Sequence, residues 1–161
     1  MVPPKTKPTA ALIPPGDQAR WWPLIEPELV AAANKDARAS SRKASEVIVA
    51  QLHGIAEGGV RCWIICRPKL VEVYGAFLTT VQRGENVIAF AKASDATLRA
   101  YAGLIELTLE IEARNAGAES MALTVLECDR SCFPAFDVAE DHDQFLILTK
   151  PTPIASPVTV N

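Results

Sequence analysis

The chain has 161 residues, about the size of one ordinary domain, and 49% of them are apolar, enough for a two-layer core. Its formal net charge of −3 offers no basic surface for nucleic acid or an anionic membrane. No apolar run approaches the roughly 18 residues of a membrane span, and the opening MVPPKTKPTAALIPPGDQAR lacks the apolar stretch of a signal peptide. Cytoplasmic origin is the default expectation.

Residues 1–20 hold five prolines. Proline removes backbone donors and favours extended backbone, so this stretch reads as an arm. PTPIASPVTVN, from Pro151 onward, repeats that character. The chain thus divides into an arm (1–20), a compact body (21–150) and a tail (151–161). In WWPLIEPELVAAANKDA a helix is expected from about Glu26 or Pro27, with Trp21 and Trp22 sealing it onto the body. Tryptophan is also enriched at interfaces, so a partner contact is the competing role. SSRKASEVIVAQLHGIAEGG reads as a second helix, capped by Ser40 or Ser41 and stopped by Gly58-Gly59. Val47, Ile48, Leu52 and Ile55 supply its helical spacing, and His53 within it carries no chemistry.

Three strands follow: VRCWIICR, LVEVYGAFLTTVQ and NVIAFAKA, joined by short turns. The first is apolar on both faces, which places it inside a sheet covered on each side. A long helix is expected from about Thr97 to Ala116, capped by Asp95 or Thr97 and ended by Gly117. Its apolar stripe runs through Leu98, Tyr101, Ile105 and Leu109, broadened by Leu104, Leu107 and Ile111. SMALTVLEC is the next strand, SCFPAFDVAE a short irregular or helical piece, and QFLILTK the last strand. The order α-α-β-β-β-α-β-(α)-β describes a mixed α/β (α+β) sheet with helices packed on it.

The four cysteines form two C-x-x-x-C pairs, Cys62/Cys66 and Cys128/Cys132. Residues four apart in a strand lie roughly 13 Å from each other. Cys62 and Cys66 therefore cannot both reach a metal at about 2.3 Å. Cys128 and Cys132 straddle a turn, but His53 and His142 are the only histidines, so buried thiols are favoured over zinc. EDHDQ, from Glu140 to Gln144, has oxygen ligands for a divalent cation; a solvated turn is the favoured reading, and no metal site is assigned. There is no Gly-rich NTP loop, G-x-S-x-G elbow or H-E-x-x-H helix.

VEVYGAF, with Gly75, resembles the third strand of the GNAT acyltransferases, and EARNAGAESMALTV resembles the helix end and strand of that family's motif A. The resemblance spans roughly residues 21–150. LRAYAGLIELTLEIEARNAG further resembles the GNAT-like virion and assembly proteins of tailed bacteriophages. It implies a mixed, mostly antiparallel sheet flanked by helices, with the Pro-rich arms outside it. An active family member presents a Q/R-x-x-G-x-G/A segment that holds the pyrophosphate of acetyl-CoA on backbone N–H groups. Here Leu98 falls where the Gln or Arg belongs, Tyr101 where the first glycine belongs, and only Gly103 matches. Glycine matters there because phosphate must approach the backbone, and a tyrosine ring intrudes. The family's acid, a tyrosine after the fifth strand, is replaced by the neighbourhood of Phe133 and Phe136, since the chain has only Tyr74 and Tyr101. Phenylalanine has no proton to give. Cys132 as a substitute acid and Glu72 as a base are weaker than packing and surface roles.

The expectation is a non-catalytic structural or assembly component of a tailed-phage virion, with no catalytic residue and no cofactor. It would reside in the virion, or in the host cytoplasm during assembly, and contact other virion proteins rather than nucleic acid or membrane. Homo-oligomers within an assembly fit the same picture. Arms without a core of their own gain order on neighbours. On this reading the partner-binding residues are Pro14, Pro15, Trp21, Trp22, Pro153 and Pro157. The alternative is a divergent acetyl-CoA-dependent N-acetyltransferase with Lys92, Arg99 and Gly103 around the cofactor. A small-ligand or acyl-CoA binding module without turnover is the third reading.

Overall fold

In a computed structural model, residues 7–14, 16–40, 42–67, 72–142 and 144–153 are described. Among them, seven strands form one sheet in the order β1-β2-β3-β4-β5-β7-β6. They are β1 (Thr9–Leu12), β2 (Val60–Arg67), β3 (Glu72–Gln82), β4 (Ile88–Lys92), β5 (Ser120–Leu126), β6 (Asp137–His142) and β7 (Phe145–Pro151). Only β4 and β5 pair in parallel, Ile88 opposite Ser120 through Ala91 opposite Leu123; every other pair is antiparallel. Helices α1 (Gln18–Ser40) and α2 (Ala44–Glu57) precede β2, α3 (Asp95–Ala100) and α4 (Ala102–Ala116) connect β4 to β5, and a 3₁₀ helix (Glu127–Cys132) follows β5.

The strand pattern sorts the side chains into two cores. Phe77 and Leu78 are neighbours in β3 and almost fully buried, yet they point to opposite faces. Phe77 joins Ile65, Ala91, Met121 and Leu123 under Ile105 and Leu109 of α4. Leu78 joins Cys62 and Val60 under Ile25 and Leu29 of α1. The sheet is therefore the middle of three layers. On the α4 face, Trp63 stacks on Phe77 with ring centroids 6.3 Å apart and donates from Nε1 to Thr79 Oγ1 at 2.9 Å.

Several expectations change. Residues 1–20 are not an extended arm throughout, because Thr9–Leu12 pairs with β2 and Ile13 is buried. TAALI is an uncharged apolar segment, short enough to fit between Pro8 and Pro14, which cannot donate to a ladder. Helix α1 begins at Gln18, not near Glu26, and contains Pro23 and Pro27. An interior proline costs about 3 kcal/mol. Burial of Ile25 and Leu29, at roughly 1.5–3 kcal/mol each, works against that cost, aided by half-buried Trp21 and Trp22. Lys43, without a side-chain cap bond, precedes α2 in place of a capping serine, while Gly58 closes the helix at φ 84° as expected. Part of the expected irregular piece is strand β6, whose side chains nearly all face solvent and so lack apolar alternation.

The expected helix 97–116 is two helices broken at Tyr101, and Ser94 caps the first. Its stripe is narrower than expected: Ile105 and Leu109 are sealed, while Leu107 and Ile111 are about half exposed. Leu78→Ala should therefore lower unfolding free energy by about 2–5 kcal/mol, and Leu107→Ala by less than about 0.5 kcal/mol. Urea denaturation checks this; equal losses would mean that α4 is covered on both sides.

Candidate functional site

Where β4 and β5 stop pairing, beyond Ala91 and Leu123, a wedge opens toward the start of α3. Its lining includes Ala32, Phe90, Ala93 and Thr124, and its free volume is only about 10 Å³. The reason is Lys35 of α1, a residue only 6% exposed. Lys35 Nζ donates to the Thr124 carbonyl at 3.3 Å and lies 3.1 Å from Asp95 Oδ1. Burial lowers the pKa of this amine below the ordinary lysine value, and Asp95 opposes that shift by charge and hydrogen bonding.

A second side chain of α1 closes the junction between β4 and α3. Ser94 N–H donates to Glu28 Oε2 at 2.6 Å, and the hydroxyls of Ser94 and Thr97 reach Glu28 Oε1 at 3.1 and 2.7 Å. Ser94 Oγ in turn accepts from Thr97 N–H at 3.2 Å, which starts the helix. The donors that open α3 thus already hold a carboxylate from within the chain. Bonds of this kind, with one charged partner, are the stronger class.

Of the residues expected around a cofactor, Lys92 and Arg99 are each engaged by an internal carboxylate. Lys92, the last residue of β4, pairs with Asp36 of α1 at 2.5 Å. Arg99 of α3 makes a two-pronged contact to Asp129, Nε to Oδ1 at 2.8 Å and Nη2 to Oδ2 at 3.0 Å. Hydrogen bonding to Asp129 and its charge raise the Arg99 pKa further. A methyl group placed on Gly103 would meet nothing within 4 Å, so internal packing does not demand glycine there. Leu98 is buried, and half-buried Tyr101, at φ −128° and ψ 31°, ends α3 and begins α4. Its N–H reaches the Thr97 carbonyl at 3.0 Å, and its carbonyl accepts from Ile105 N–H at 3.0 Å, so Tyr101 closes one helix and opens the next.

Phe133 and Phe136 are sealed in the α4-side core, edge to face at 5.8 Å. Cys132 packs half-buried beside them and Cys128 is exposed. Glu72 is bonded to the hydroxyl of Tyr74, which raises the Tyr74 pKa. Cys62 and Cys66 are buried thiols, and burial pushes Cys62 up to about 11. Among the described residues, no three His, Cys, Asp or Glu side chains converge on a point that could hold a metal ion. No helix among them is long and apolar enough to cross a membrane. Pro14 is exposed, with its carbonyl accepting from Asp17 N–H at 3.1 Å, and the Pro153 carbonyl accepts from Arg114 Nε at 3.0 Å. Pro15 and Pro157 lie outside the described residues.

Sequence reasoning missed Glu28, Lys35, Asp36 and Asp129. A signal for the first three was present. They recur at helical spacing with Ile25, Leu29 and Ala32, so polar groups stand within the apolar stripe of α1.

The layered sheet, the single parallel pair and the wedge at its end can be compared with solved structures. FeeM, an N-acyl amino acid synthase from uncultured soil microbes, matches with a TM-score of 0.59 and 10% identity over 91% of this chain and 92% of its own. A Bacillus subtilis acetyltransferase in complex with CoA matches with a TM-score of 0.56 and 15% identity over 90% and 99%. FdhC, a nucleotide-linked sugar GNAT, gives 0.52 and 13% over 90% and 88%. The fold is GNAT-like. Identities this low establish the GNAT architecture and leave its use open. No family model and no curated protein matches the sequence.

The Lys35 plug generates a signed pH dependence. Its pKa is lowered in the folded state and ordinary in the unfolded chain. Between those two values the unfolded state binds more protons, so stability rises with pH. Denaturant melts from neutral pH to about pH 10 should show the native chain gaining stability relative to Lys35→Met. Parallel curves for the two proteins would place the amine in water.

Proposed function

We propose that this chain is a non-catalytic GNAT-fold protein that serves as a structural or assembly component. The observation that carries the reading is Glu28, whose carboxylate occupies the Ser94 and Thr97 donors at the start of α3. Lys35 fills the adjoining wedge, and Tyr101 stands in place of a glycine in the resembling loop. Glu28 and Lys35 close the β4–α3 junction beside the resembling loop, and Tyr101 brings a ring into the loop itself, where a diphosphate would need room. The setting in a tailed-phage virion, contacts to neighbouring virion proteins and a stay in the host cytoplasm before assembly belong to the same proposal. They rest on the resemblance in LRAYAGLIELTLEIEARNAG and on the Pro-rich ends. Trp21, Trp22, Pro14, Pro15, Pro153 and Pro157 are the proposed contact residues.

One observation favours a second reading, a divergent acetyl-CoA-dependent acyltransferase. β4 and β5 are parallel and part at the start of α3, which leaves a gap that a ligand enters if α1 withdraws. Acetyl-CoA, near Lys92, Arg99 and Gly103, would then be the cofactor.

Calorimetric titration with acetyl-CoA separates the two. The native chain should give no binding heat at micromolar affinity, and neither should Tyr101→Gly, because Glu28 and Lys35 remain. Micromolar binding by the native chain, with acetyl transfer to an amine, would overturn the proposal. Purified particles should contain the chain at a fixed copy number by quantitative mass spectrometry. Its exclusion from particles would remove the assembly role.

A further inference from the structure

Away from the closed wedge, the C-terminal end of α1 and residues from the end of β6 and the start of β7 line an open groove of about 840 Å³, among them Arg38, Asp141, His142, Gln144 and Phe145. That volume is in the range of small-molecule sites. Arg38 lies in the last turn of α1 with its guanidinium carbon 5.6 Å from the centre of the Phe145 ring. No carboxylate among the described residues pairs with it, in contrast to Arg61, Arg99 and Arg114. A guanidinium laid on an aromatic face keeps its forked N–H edge free, and that fork matches two oxygens of a carboxylate. The turn of α1 favours a cation there, and that role leaves the fork open.

The opposite wall supplies different chemistry. Asp141 brings a negative charge to the groove, and Gln144 brings an amide that donates and accepts. The Nε2 atom of His142 is shielded from solvent and has no hydrogen-bond partner among the described residues, with Glu140 Oε2 at 3.8 Å. A buried polar atom of this kind is costly unless something bonds to it. A purely anionic ligand would be repelled by Asp141, and a purely cationic one by Arg38.

We infer that this groove binds a free α-amino acid or the like zwitterionic end of a small molecule, with its carboxylate on Arg38 and its ammonium at Asp141. Phe145 and the stem of Arg38 give its side chain an apolar wall. A neighbouring depression of about 430 Å³, lined by Leu126, Glu127, Cys128 and Gln144, leaves room for a longer side chain. The inference does not depend on the closed wedge, and binding at this groove needs no turnover.

The test is ligand-observed saturation-transfer NMR on the full chain, with the twenty free amino acids, their α-amides and their N-acetyl forms as probes. At least one free amino acid should bind, and its amide should bind about tenfold more weakly or worse, as loss of one charged contact implies. Arg38→Gln should abolish the signal of the free acid. Asp141→Asn should weaken the free amino acid and spare its N-acetyl form. Arg38 is exposed, so its replacement should leave the chain folded with only a small loss of stability from the Phe145 contact and the helix end, and the amide comparison needs no variant at all. Failure of every free amino acid to bind at about 10 mM, equal binding of acid and amide, or binding that survives Arg38→Gln would each overturn the inference.

Discussion

Because β4 and β5 lie side by side and run the same way, the chain between them must leave one end of the sheet and return to the other. A turn cannot do this, and the crossover takes the form of α3 and α4 on one face. That face is then spent. The opposite face is left for α1 and α2, which come earlier in the chain, and the central strands become apolar on both sides. The same parallel pair sets the wedge, since the two strands share only the ladder from Ile88 to Ala91 before they part. Layering, double-sided strands and the parting of the sheet all follow from one choice of direction.

What α1 does at that parting gives the molecule its character. It is a helix with two interior prolines and two half-buried tryptophans, which packs by its apolar stripe and bonds by polar residues in that same stripe. Glu28, Lys35 and Asp36 turn the stripe's end into a set of contacts to Ser94, Thr97, Thr124, Asp95 and Lys92. Removing one partner of such a contact leaves the other desolvated and unmatched, which costs more than the contact contributes. The arrangement therefore acts as a unit: the helix sits fully in place, or several charged groups lose their partners together.

The sequence was most legible where burial imposed a period. VRCWIICR corresponds residue for residue to β2, and Gly58 and Gly117 end their helices in the left-handed conformation that glycine allows. The mixed sheet with helices on it was legible from the same periods. It was least legible at the edges. TAAL and DVAEDH each bond along a single side and carry little alternation, so one looked like an arm and the other like a loop. The break at Tyr101 escaped because α3 and α4 keep apolar residues at helical spacing across it. At the candidate site, Leu98 and Tyr101 could be placed from their spacing to Gly117. The partners that close the junction could not, because Glu28 and Lys35 are more than fifty residues away in the chain.

The two borders of the sheet have a bearing on how copies of this molecule meet. The outer strand at one side, β6, carries Asp137, Glu140 and Asp141 toward solvent, and its ladder with β7 slips between Val138 and Glu140. Its counterpart, β1, is four residues long and lies between Pro8 and Pro14. Charge and irregular register at one border, brevity and missing donors at the other, make strand-to-strand growth unfavourable on both. The described borders of the sheet are thus built to resist the open-ended edge pairing from which fibres grow.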